Sequence, residues 1–248
     1  MKRKKLSLTL GVIAALLLAV YVGLSFFLGS VVKAGVNTFG PKLTQTKVEL
    51  TGARISPFTG SGTLSGLFVG NPEGWQSDRA FYLGKIHVDV EPFSVLGDHI
   101  VINEILIDEP EFVYETKIVA SNIKDLLKNI EEYTGANGET PTTEGGAPIK
   151  FVVKKFRLTN GKARLGVGPA ALPLPLPPIA LNDLGVKEGG ITPDQLAGAV
   201  MKSVLGSIVS ATAQAAGKVG STVGATAADT AGKAAEKTTE GIKKLFGK

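Results

Sequence analysis

Cysteine is absent from this chain of 248 residues, and histidine occurs only twice and tryptophan once. Without thiols there is no disulfide, no thiolate metal site and no thiol redox chemistry. Cysteine-free chains occur in every compartment, so the absence locates the protein in none. Concentrated charge is missing as well. The net charge of +5 comes from 27 basic and 22 acidic residues, and four of the basic ones are Lys2, Arg3, Lys4 and Lys5. The rest mix with acids along the chain, with no basic stripe interleaved with aromatics, which excludes a nucleic-acid face.

Catalytic constellations are equally scarce. His87 and His99 fall in strand-like text, with no Cys, Asp or Glu cluster at metal-ligand spacing around them. His87, Asp89 and Glu91 alternate, so they share one face of a strand, either as a metal or acid–base site or as the solvated side of a half-buried strand. Gly60-Ser61-Gly62 lacks the Lys-Ser/Thr of a phosphate loop, sits between strands, and has no acid or histidine partner as a nucleophile. The sequence therefore presents no catalytic, cofactor or metal motif, and it reads as a non-enzyme.

What is present begins at residues 6–32, which hold no charged side chain. About 20 apolar residues cross the roughly 30 Å hydrocarbon core of a bilayer. A cleavable secretory signal has an apolar region of about 7–15 residues and a small-x-small site. Here the run is longer, and Leu28-Gly29-Ser30 matches poorly, so the segment reads as an uncleaved single-pass anchor. Basic residues 2–5 on one side against Lys33 on the other put the N-terminus in the cytoplasm and the bulk outside it, in a bacterium the periplasm.

Residues 33–133 turn β-like. Strands are expected near 47–55, 62–69, 80–90, 99–107 and 111–118, separated by Pro/Gly/Asn turns, as an antiparallel meander. Tyr82, Ile86, Val88 and Val90 share one face of a strand, and Ile100, Ile102 and Leu106 a face of the next. These are candidate apolar-face residues. Trp75 follows the Asn71-Pro72-Glu73-Gly74 turn and is expected to pack over it. At 121–133 the period becomes helical, with Ile123, Leu126, Leu127 and Ile130 on one face after a Ser121/Asn122 cap. Residues 134–148 are a polar, flexible linker.

Sheet text resumes over 149–191, with Asn160-Gly161 as a hairpin signal that predicts an antiparallel return over 162–167. The stretch Ala-Leu-Pro-Leu-Pro-Leu-Pro-Pro at 171–178 admits a PxxP ligand, an extended polyproline segment or a strand. As a strand, Pro173, Pro175 and Pro177 strip one edge of N–H donors, while Leu172, Leu174 and Leu176 keep theirs on the other and hold one apolar face. That predicts an edge strand. Thr192-Pro193-Asp194-Gln195 opens an amphipathic helix over 192–216. Residues 217–248 form a low-complexity Ala/Gly/Lys tail, either a solubilising end or, through Ile242, Leu245 and Phe246 between lysines, a membrane-touching one.

The basic start and anchor, the transition at 27–33, the pattern Ser56-Pro57-x-x-Gly60-x-Gly62-x-Leu64-x-Gly66-Leu67 followed by Asn71-Pro72-x-Gly74, and Ile105-Leu106-Ile107-Asp108-Glu109-Pro110-Glu111 together resemble the AsmA-like family of bacterial envelope proteins. The resemblance covers roughly residues 1–130. It implies an inner-membrane-anchored periplasmic protein with a curved sheet whose apolar face handles phospholipid acyl chains in outer-membrane biogenesis. The chain is short for such a bridge: about nine strands at ~4.8 Å give roughly 45 Å. The fold class expected is thus mainly β (α+β): an anchor helix, a curved, mostly antiparallel sheet and two amphipathic helices. If both helices cover the apolar face, an envelope scaffold or adaptor replaces the lipid handler.

Overall fold

The first helix outruns the apolar run that starts it. In the computed structural model, which describes residues 2–117, 120–135, 141–142 and 146–215, α1 spans Lys2–Thr44. Nothing in residues 33–40 stops it, and Pro41 falls only in its last turn, where Gln45 takes a left-handed φ of 54° and closes it with an N–H to the Pro41 carbonyl. The proposed tail at 217–248 and most of the linker at 134–148 lie outside the described residues. Contacts divide the chain into Met1–Ile208 and Val209–Lys248, and the whole sheet belongs to the first unit.

The meander forms as β1 (Val48–Ile55), β2 (Ser61–Gly70), β3 (Arg79–Val90) and β4 (Ile100–Asp108), each antiparallel to the one before. Then come β5 (Glu111–Tyr114), α2 (Asn122–Gly135), β6 (Phe151–Thr159), β7 (Lys162–Leu165), β8 (Leu172–Pro175), β9 (Ile179–Leu184) and α3 (Pro193–Ala215). Ser121 Oγ accepts the Lys124 N–H at the start of α2, and Gln195 Oε1 accepts the Thr192 N–H at the start of α3, so both expected caps are in place. The result is an α+β fold on a mixed sheet, because β4 pairs β6 and β5 pairs β7 in parallel. Parallel neighbours need a crossover, and α2 lies within it.

The expected Asn160-Gly161 hairpin does not form. Such a turn requires φ > 0 at both central residues, but only Asn160 is left-handed, at 53°. Its Nδ2 donates to Asp108 Oδ1 at 2.7 Å, beside a 2.9 Å bond from Thr159 Oγ1. The chain kinks and keeps its direction. These two donors also hold the Asp108 carboxyl below its ordinary pKa, Asn160 more than Thr159.

The same kink recurs across the sheet. The registers place β4 and β5, β6 and β7, and β8 and β9 on shared lines, each broken at one row: Gly66 and Gly84, then Glu109, Asn160 and Pro177. Gly66, Glu109 and Asn160 are all left-handed. Hydrogen bonds bridge this crease, from Glu109 N to Thr159 O, Lys162 N to Pro110 O, and Leu176 N to Gly161 O. A left-handed residue turns the pleat over, so burial changes phase there: Ile107 before and Phe112 after Glu109 in β4–β5, Leu158 before and Ala163 after Asn160 in β6–β7. The core therefore stays on one side. A Cβ placed on Gly161 would touch Leu158, Pro110 and Leu176 together.

Over that side lie α2, through Ile123, Leu126, Leu127 and Ile130, and α3, through Met201, Val204 and Ile208, all buried. Ile130 meets α3 at Gly198, and Ser207 Oγ donates to the Pro177 carbonyl. Each such side chain taken fully out of water contributes about 1.5–3 kcal/mol.

Candidate membrane-facing site

A free strand edge exposes unpaired N–H and C=O groups, and β1, which pairs only β2, has one. α1 covers it. The Leu50 N–H donates to Asn37 Oδ1 at 2.6 Å and Asn37 Nδ2 returns to the Leu50 carbonyl at 3.4 Å, so one side-chain amide stands in for a neighbouring strand. Small residues bring the helix this close: a Cβ on Gly29 would collide with the Ala53 carbonyl oxygen, and one on Gly40 would meet the Val48 side chain at 2.6 Å. Further back along the helix, Tyr21 stacks on Phe58 with ring centroids 5.7 Å apart, and its hydroxyl reaches Ser56 Oγ at 3.4 Å. At the other end, Asn129 of α2 donates to the Thr44 carbonyl. The helix is thus fixed to the sheet from Tyr21 to Thr44.

From Leu10 to Val20 the residues of α1 are all exposed. Its most apolar stretch has a mean hydropathy of 2.5 and none of it is buried, with Leu16, Leu17, Leu18, Phe26 and Phe27 among the exposed side chains. It is long and apolar enough to cross a membrane. α3 also has the length, with a mean hydropathy of 1.4, but its apolar stripe is spent on the core.

The crease redistributes the residues that alternation grouped. Ile86, Ile102, Leu174 and Leu176 are buried, and Val88, Val90 and Ile100 are half-buried. Tyr82 does not share the face of Ile86: it stands beyond the crease, beside Phe68 and Glu111, with the Arg79 guanidinium over its ring. Leu106 does not share the face of Ile102, because the β3–β4 register shifts past Asn103; it pairs instead beside His87 and Arg157 on the outer side. The edge strand forms as expected. β8 pairs only β7, Pro173, Pro175 and Pro177 are exposed, and Leu172, at the strand end, is 58% exposed instead of joining the core.

A polar latch escaped sequence reasoning. Glu115, buried, accepts hydrogen bonds from Asn71 Nδ2, the Gln76 and Ser77 N–H groups and the Ser77 hydroxyl. Asn122, also buried, accepts the Glu115 N–H and donates to Asn71 Oδ1 and the Val113 carbonyl. Trp75 ties its turn to α2: Nε1 donates to Asp125, and Lys117, which also donates to the Gly74 carbonyl, lies 4.4 Å above the ring. Three segments, 71–77, 113–117 and 122–125, are pinned together here. The signal available was Asn71 before a Pro-Glu-Gly turn with Trp75 and Ser77 after it, but their partners sit 38 to 51 residues away.

Elsewhere, Phe68, Arg79, Val113, Arg164 and Val167 line an open cleft of about 400 Å³, where Arg79 is engaged by Glu111 at 2.7 Å. Among the described residues no group of three or more His, Asp or Glu converges as metal ligands. The fold and its helix define an α+β domain clamped along one sheet edge to an N-terminal helix compatible with a membrane span. No family model, curated protein or solved structure matches the chain.

Proposed function

We propose that the protein is a non-catalytic scaffold or adaptor of the bacterial cell envelope, of AsmA-like type, anchored by α1 with residues 2–5 in the cytoplasm and the sheet in the periplasm. One observation carries the choice of scaffold over lipid handler: the apolar side of the sheet is covered by α2 and α3, with Ile86, Ile102, Leu174 and Leu176 buried in the core. Among the described residues these side chains are spent on the core instead of lining a groove for an acyl chain. Two of the edge strands support the same reading, since α1 covers β1 and prolines blunt β8, so further strands are not invited at either of these two; β9, on the line of β8, pairs only β6. The orientation is supported by the basic cluster before the apolar run.

The test is lipid mass spectrometry on the full chain purified in mild detergent, with lipid transfer between donor and acceptor vesicles measured in parallel. The scaffold reading expects no lipid retained at stoichiometric level after delipidation, no transfer above the protein-free rate, and a protein that co-purifies from envelope extracts. A lipid retained one per chain, together with transfer, would replace it with the lipid-handling reading that the family resemblance implies.

A further inference from the structure

Among the described residues, most of the exposed large apolar side chains of the sheet and its turns gather at one end, with Val167 and Leu172 at the other. Phe58 is 71% exposed, Phe93 83% and Leu96 85%, and Val95 and Val186 are exposed as well. All five belong to one end of the sheet. Phe58 is in the turn between β1 and β2. Phe93, Val95 and Leu96 lie in the 3-10 turn Pro92–Leu96 between β3 and β4. Val186 follows β9. The three segments adjoin along that end: a Cβ on Gly60 would meet the Val90 carbonyl and Pro92, and one on Gly190 would meet Lys150 and His99 where β4 and β6 begin.

This end is also where α1 leaves the sheet. Tyr21 is the outermost described contact between them, and it stacks on Phe58. Any stretch of about 20 residues chosen from 6–32 to cross the bilayer contains Tyr21. With about 1.5 Å of rise per residue, Tyr21 then lies at least ~6 Å inside the boundary of the hydrocarbon core. Phe58 is carried to that depth with it.

From this geometry we infer that the end of the sheet bearing Phe58, Phe93, Val95, Leu96 and Val186 is seated in the bilayer beside α1, as a second, interfacial attachment. The inference rests on α1 being a membrane span. The depth of Phe58 is comparable to the roughly 5–10 Å to which interfacial amphipathic helices bury their apolar face at the headgroup and acyl boundary. The charges nearby are of both signs, Glu91, Asp98 and Glu188 against Lys150 and Lys187, so the attachment is apolar insertion and is insensitive to salt.

The absence of cysteine makes the test direct. Single variants Phe58→Cys, Phe93→Cys, Leu96→Cys and Val186→Cys carry an environment-sensitive fluorophore in the full chain, reconstituted into phosphatidylcholine–phosphatidylglycerol vesicles with lipids brominated at shallow or deep acyl positions. Leu17→Cys reports on the span and Leu172→Cys on the opposite end of the sheet. The inference expects the four end labels to be quenched several-fold more than Leu172→Cys, most by shallow bromine, at low and high salt alike. If Leu17→Cys is quenched while the end labels behave as Leu172→Cys does, the inference fails and the anchor stands. If Leu17→Cys escapes quenching, the anchor fails and the inference with it. End labels that shift blue without lipid quenching would overturn the inference in favour of burial against protein, including a second copy of this chain.

Discussion

At the scale of single residues, the position under most constraint is Glu115. Its carboxylate receives donors from Asn71, Gln76 and Ser77 in a buried site, and its own N–H is held by Asn122. Removing the acceptor leaves several donors unpaired, and each buried group left so costs about 1–3 kcal/mol. Loop residues can reach water by moving, which limits the total, so Glu115→Ala is expected to destabilise by about 3 kcal/mol. Glu115→Gln, which keeps one acceptor oxygen, is expected to lose less. Denaturant unfolding of the full chain in detergent measures both. Trp75, the only tryptophan, sits in the pinned loop, and its emission should move to longer wavelength in the alanine variant before global unfolding.

Elements show how small residues decide contacts that hydrophobicity alone leaves open. Gly29 and Gly23 are both glycines in an apolar helix, and composition does not separate them. Gly29 faces the Ala53 carbonyl, whereas a Cβ on Gly23 has nothing within 4 Å. Gly29→Ala should therefore push α1 off β1, at the roughly 1–3 kcal/mol typical of overpacking. Gly23→Ala should be neutral or, from helix propensity, stabilise by up to about 1 kcal/mol. Hydrogen exchange gives the readout: the Leu50 amide, bonded to Asn37, is expected to exchange faster in Gly29→Ala and unchanged in Gly23→Ala. The same scale explains the missing hairpin. Asn160-Gly161 carries the local chemistry of a reversal, but β6 and β7 lie along parallel partners β4 and β5, and Asp108 holds Asn160 at a kink.

For the folded unit as a whole, the notable property is a sheet with two of its edge strands, β1 and β8, closed to further pairing and one side covered. The outer edge of β8 owes its inertness to backbone nitrogens without protons. Leu176 sends its N–H inward to Gly161, so by alternation the nitrogens of Pro173 and Pro175 point outward. Pro173→Thr combined with Pro175→Thr restores two outward donors on an exposed strand. The double variant is expected to associate through β8 edges, shifting towards larger species than the wild-type chain at equal concentration in analytical ultracentrifugation, with little change in unfolding midpoint. Unchanged sedimentation would show that something other than the prolines guards this edge.

The sequence by itself determined the membrane-compatible helix, the places of most strands, the helix caps and the proline-blunted edge. Each of these comes from neighbours within a few residues: an unbroken apolar run, alternation between turns, Ser121 or Thr192 before a helical stripe, and prolines at every second position. Only the tertiary structure decided which face each residue joined, because one crease turns over several strands at once and its left-handed residues include Glu109, which no local rule singles out, and Asn160, whose Asn-Gly pair reads locally as a reversal. The clamp of Asn37 on Leu50 and the Glu115 latch arise in the same way, from polar groups that must find partners once burial removes them from water, and those partners are chosen by register across the sheet and not by proximity along the chain.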